Sequence, residues 1–197
     1  MEQKIREFDK WYEQYVDELF SYGMAFGMEK EYVLDVIHDV FLHLYESVNK
    51  IEMPDNPKFY LLRSLKNRII SSKQKNFNLL SIDDNMEYEF QIKVDALALL
   101  EDEEERLAYE EQLDNLFRLL TNKQREVVYL HFMQELSYQE VAEILHITPK
   151  SVRKIIYRAL ERMQGGVAPL WLVFIFLASA GIFPSVMIPP LTASSIS

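Results

Sequence analysis

The chain has 197 residues, enough for one or two small domains, and a formal net charge of −10. It contains no cysteine, which excludes a disulfide framework, a thiolate metal site and a cysteine nucleophile. The histidines His38, His43, His131 and His146 form no ligand-spaced cluster, and five glycines leave little scope for a phosphate-cradling loop. With no nucleophile elbow either, neither a catalytic site, a metal nor a cofactor is expected.

Met1 to Lys10 is charged throughout and does not read as a signal peptide. Phe8, Trp11, Tyr12, Tyr15, Leu19 and Phe20 recur at helical spacing, predicting an amphipathic helix to about Tyr22, where Gly23 and Gly27 are expected to end it. A second helix is predicted from about Glu31 to Val48. Val33, Val36, Ile37, Val40, Phe41, Leu44 and Val48 form its buried stripe, and Asp35, His38, Asp39, Leu42 and Glu46 lie on or near the other face. Pro54-Asp55-Asn56-Pro57 is a turn. A third helix, from about Lys58 to Lys75, has Tyr60, Leu61, Leu65, Ile69 and Ile70 as apolar positions. Its polar face carries six cations (Lys58, Arg63, Lys66, Arg68, Lys73 and Lys75) with no carboxylate among them. Such a run repels itself unless something anionic neutralises it, and a phosphate backbone does so with release of counterions.

The negative excess sits in the middle: residues 76–118 hold thirteen acidic and three basic residues. Glu101 to Glu105 is an unbroken acidic run, the usual mark of a solvated face or of disorder. From Glu103 to Leu120, Leu107, Leu113, Leu116, Phe117 and Leu120 give a helical stripe. Thr121 to Gln124 and Ser137 to Glu140 are capping boxes that open two further helices. The second packs through Val141, Ile144 and Leu145. His146-Ile147 makes a turn, and Thr148 caps a last helix with Pro149 at its first position, where a missing N–H costs nothing. Val152, Ile155, Ile156 and Ala159 face inward; Lys150, Ser151, Arg153, Lys154, Tyr157 and Arg158 face outward. A cationic outer face on a short helix after a tight turn is what major-groove reading requires, although the same geometry occurs in bundles that never touch DNA.

After Arg162 no charged residue follows to the end of the chain. Gly165-Gly166 is expected to end the last helix, and residues 167–183 are almost wholly apolar before Pro184. Seventeen residues is at the short end for a bilayer span.

The stretches Gln124–Val128, Leu136–Leu145 and Ile147–Arg153 together resemble region 4 of extracytoplasmic-function (ECF) sigma factors, small bacterial members of the sigma-70 superfamily. Asp35–Glu46 resembles region 2.2, and Pro57–Ile70 resembles regions 2.3 and 2.4. Both halves stand in the family's order and together cover about residues 5–163; His38 stands where the family usually has Gln. The resemblance implies an all-α protein of two small helical domains: region 2 over 1–76, an acidic linker over 77–102 and region 4 over 103–164; the apolar run adds the expectation of a hydrophobic C-terminal helix within 165–197. It implies a factor without catalysis that binds core RNA polymerase through Asp35, His38, Asp39, Phe41, Leu42 and Glu46. The −10 element would be held by Tyr60, Arg63, Lys66, Asn67, Arg68, Ser71, Lys73 and Lys75, with Phe77 as a further base-stacking candidate. The −35 element would be read by Thr148, Lys150, Ser151, Arg153, Lys154, Tyr157 and Arg158. Asp83, Asp84, Glu87 and Glu89 would imitate transcript charge in the polymerase's RNA exit path. An anti-sigma factor is a further partner of this family.

The family pattern ends near Met163 and says nothing of the tail. Three readings stay open: an inner-membrane anchor over 167–183 that leaves the DNA-binding part in the cytoplasm, a segment folded against region 2 or region 4 that masks a working surface, or a relic of an altered gene end. The alternative function is a membrane-anchored helix-turn-helix regulator that never engages polymerase, and a third reading is a membrane-bound interaction protein without DNA contact.

Overall fold

The computed structural model describes residues 2–47, 54–76, 88–92 and 103–165. Among the described residues every regular element is helical: α1 (Glu2–Met24), α2 (Lys30–Glu46), α3 (Pro57–Asn76), α4 (Glu103–Arg118), α5 (Asn122–Val128), a π-helical turn (Tyr129–Met133), α6 (Tyr138–Ile144) and α7 (Pro149–Gly165). The chain forms two compact units, residues 1–93 with 139–148, and residues 94–138 with 149–197.

In the first unit α1, α2 and α3 pack around Phe8, Trp11, Leu19, Tyr22, Val33, Ile37, Val40, Leu44, Leu61, Leu65 and Ile69, all buried. Phe8 meets Trp11 at 5.2 Å between centroids and Tyr45 edge-on at 5.8 Å, a favoured aromatic arrangement that adds to simple burial. Gly23 does not end α1, which continues to Met24. Its role is close approach: a Cβ there would stand 2.5 Å from Val33 Cγ1, so a side chain would push α1 and α2 apart. Gly27 is the residue that turns the chain, with φ +67, a conformation that costs glycine nothing.

A segment that composition assigns to the linker belongs to this core. Residues 88–92 form no regular element, with Phe90 fully buried and Ile92 5% exposed. Gln91 N–H donates to the Ala25 carbonyl at 2.8 Å. Phe90 packs against Tyr22 and Phe26, and Tyr88 against Phe26. The rest of the expected linker, including Asp83, Asp84 and Glu87, lies outside the described residues.

In the second unit Leu113, Leu116, Phe117 and Leu120 are buried, whereas Leu107, expected in the same stripe, is 52% exposed. Among the described side chains of α4, burial therefore begins at Leu113. Thr121 and Gln124 form the full capping box at the start of α5. Arg125 Nε donates to the Phe117 carbonyl at 2.9 Å and Arg162 Nη1 to Gln124 Oε1 at 2.8 Å, tying α5 to its neighbours on both sides. On α7, Val152, Ile156, Ala159 and Met163 are buried, and each large aliphatic side chain so placed contributes about 1.5–3 kcal/mol.

Candidate functional site

The turn before α7 is made by His146, at φ 52, and by the Ile147 N–H donating to the Ala142 carbonyl at 2.9 Å. The turn delivers Thr148 and Pro149 to the start of α7, as the cap-and-proline pattern predicts. With the apolar side turned inward, Thr148, Lys150, Arg153, Lys154, Tyr157 and Arg158 are exposed and Ser151 is half-buried; Tyr157 is 68% exposed. Ile155, expected inward, is half-buried. Lys150, Lys154 and Arg158 recur every fourth residue and so share one stripe, with Arg153 and Tyr157 on the next. Arg153 extends over the ring of Tyr138, its Cζ 5.5 Å from the centroid.

The cations of α3 are in a different state. Lys58 lies 3.9 Å from Glu18, Arg63 lies 3.5 Å from Glu143 and Arg68 lies 3.3 Å from Asp39. Three cations of the run thus face carboxylates from other helices, which a reading confined to the helix does not see. Lys66 is not on the polar face at all: it is 7% exposed, its Nζ donates to the Tyr88 hydroxyl at 3.3 Å, and it lies 5.4 Å above the Tyr88 ring. Asn67 and Ser71 are exposed one turn apart, and Tyr60 is half-buried. The side chains of Lys73 and Lys75, and all of Phe77, lie outside the described residues.

On α2, Asp35, His38, Asp39, Leu42 and Glu46 form an exposed face, with Leu42 55% exposed. Phe41, grouped with them from sequence, is 2% exposed and packs edge-on against Tyr12 at 5.0 Å; it supports the face from beneath. Beside the face runs a groove of about 540 Å³ lined by Asp9, Tyr12 and Glu13 of α1 and by His38, Phe41, Leu42 and Tyr45 of α2. The Tyr45 hydroxyl donates to Asp9. Burial, then this hydrogen bond and the Asp9 charge, push the Tyr45 hydroxyl up to about 12. Of the residues α1 adds here, Tyr12 belongs to the predicted stripe, whereas Asp9 and Glu13 carried no signal in the sequence.

Residues 11–76 match the family described as sigma-70 region 2, and residues 110–163 match the family described as sigma-70, region 4. The chain belongs to the sigma-70 family. Its relative SigM of Bacillus subtilis (strain 168), an ECF RNA polymerase sigma factor, is 21% identical over 157 residues, which are 79% of this chain and 92% of SigM. The fold is that of the sigma factor RpoE of Bartonella quintana, solved in complex with the anti-sigma factor NepR, with a TM-score of 0.57 at 19% identity over 86% of this chain and 98% of that one. The sigma factor is thus of the ECF type, an initiation factor of a non-catalytic family. Among the described residues no helix is long and apolar enough to cross a membrane. The apolar run 167–183 and the helix expected there lie outside the described residues.

Proposed function

We propose that this sigma factor directs promoter-specific initiation by joining core RNA polymerase through the α2 face while α3 and α7 hold separate promoter elements. The observation that carries the reading is that face: an exposed Leu42 set among Asp35, His38, Asp39 and Glu46 and bordered by a groove. An apolar centre with a charged rim is the anatomy of a protein interface, and a helix-turn-helix regulator acting alone has no use for one here. On α7, the stripe of Lys150, Lys154 and Arg158 suits a phosphate backbone, and Arg153 and Tyr157 suit base edges in the −35 element. Thr148 and Ser151, at the helix N-terminus, suit a phosphate oxygen. On α3, Asn67 and Ser71 suit hydrogen bonds to bases of the −10 element, and Arg63 and Arg68 suit its phosphates once they leave their carboxylates. A protein inhibitor that covers these surfaces is proposed as well, supported by the complex in which the Bartonella relative was solved. The chain acts in the cytoplasm, where polymerase is.

Capture of purified core polymerase on the immobilised chain tests the assignment. The wild type retains the enzyme, and the Asp35→Ala/Asp39→Ala double variant loses about ten-fold in affinity, in line with removal of two charges from the interface rim. Equal capture by both would remove the α2 face from the account.

A further inference from the structure

We propose that Tyr138 is a positioning residue for Arg153, holding its guanidinium ready for a guanine edge. The proposal rests on the reading that α7 docks in the major groove. Arg153 is exposed on α7, and a long free side chain loses rotamer freedom when it binds. Here the guanidinium already leans on a ring, 5.5 Å from the Tyr138 centroid. That ring is held in turn. Tyr138 is half-buried at the start of α6, and the His131 ring lies against it with centroids 4.6 Å apart at a tilt of 33°. His131 is pinned by its Nδ1–H, which donates to the Leu136 carbonyl at 2.7 Å.

His131 stands in the π-helical turn, a rare element that recurs at functional sites. The wide turn is closed by Gln134 N–H to the Tyr129 carbonyl at 3.1 Å and by Leu136 N–H to the Leu130 carbonyl at 3.1 Å. It places the Leu136 carbonyl where His131 reaches it. A run from π turn to imidazole to phenol ring thus ends under one arginine of the helix that faces DNA. The guanidinium lies over the ring, its Cζ 5.5 Å from the centroid, and arginine suits such a cation–π contact better than lysine.

The test uses polymerase holoenzyme formed with the full chain. Its probes are the duplex that wild-type holoenzyme enriches from a randomised promoter library and a scrambled duplex of the same composition. The readout is the ratio of the two affinities. Arg153→Ala lowers the ratio by about ten-fold or more. Tyr138→Leu lowers it by about two- to five-fold, the scale of an exposed cation–π contact, while Tyr138→Phe keeps the wild-type ratio. In the Arg153→Ala background, Tyr138→Leu adds nothing, and scrambled-duplex affinity stays at wild type in Tyr138→Leu because the fold is intact. Should Tyr138→Leu not fold, His131→Asn gives a smaller loss that likewise vanishes without Arg153. A full Tyr138→Leu loss in the Arg153→Ala background, an equal loss in Tyr138→Phe, or no loss in Tyr138→Leu overturns the positioning role alone. An unchanged ratio in Arg153→Ala overturns the docking of α7 and the inference with it.

Discussion

Two basic helices, α3 and α7, look alike as strings of letters and differ as surfaces. On α3 the described cations are engaged: Lys58, Arg63 and Arg68 face carboxylates from other helices, and Lys66 is buried beside Tyr88. On α7 Lys150, Arg153, Lys154 and Arg158 are exposed, and Arg153 rests on an aromatic ring rather than on an acid. The difference bears on how each helix meets DNA. A phosphate approaching α7 meets exposed cations directly, whereas a phosphate approaching α3 must first displace a carboxylate. The salt dependence of binding should therefore come mainly from α7, because only a newly neutralised phosphate releases its counterions.

The largest expected effect breaks the first half of the comparison. Phe90→Ala empties a fully buried site beneath the segment that covers Lys66. It should destabilise the first unit by about 3–5 kcal/mol, measured by denaturant unfolding; a loss below about 1 kcal/mol would show that the segment does not belong to the core. Next in size, Arg153→Ala/Lys154→Ala should weaken promoter binding by about ten-fold or more and, through the lost Lys154 phosphate contact, lower the salt slope by about 1. An unchanged slope would move the phosphate contacts elsewhere. A smaller effect sharpens the contrast: Asp39→Asn frees Arg68 from its partner at 3.3 Å. Promoter affinity should rise by up to about five-fold, the range of an exposed pair, while polymerase capture weakens. A fall in DNA affinity would show that Asp39 does not restrain Arg68.

The smallest effect concerns the groove. Tyr45 titrates at about 12 in the folded chain against an ordinary 10.0. Between those values the unfolded chain ionises this hydroxyl and the folded chain does not, so the contribution is complete below pH 10 and lost as pH rises to 12. Tyr45→Phe should flatten the fall in stability across that window, and an unaltered pH profile would deny Tyr45 its raised value.

What could be read in advance follows from where the determining partner sits. The start of α7 was legible because Thr148 and Pro149 signal locally and Val152, Ile156 and Ala159 repeat at helical period. The outward set of α7 was legible for the same reason. The pairing of Lys58, Arg63 and Arg68 on α3 was not, since Glu18, Asp39 and Glu143 lie on other helices. Lys66 was placed on the polar face because its cover, Tyr88, stands 22 residues away. Phe90 and Ile92 alternate as a strand does, but five residues in an acidic stretch are too few to stand out. Gly23 reads as a helix breaker by type, and only the Val33 side chain against it shows that the need is for space. The π turn has no local signature, so the His131–Tyr138 stack that depends on it was invisible.

The most direct test of the whole account is run-off transcription with purified core polymerase on a promoter library, with the full chain and with the chain ended at Gly165. The account predicts transcripts from a defined start on a subset of templates whenever the chain is added, and their loss in the Asp35→Ala/Asp39→Ala variant. Initiation no more selective than that of core polymerase alone, with either form of the chain, would contradict it.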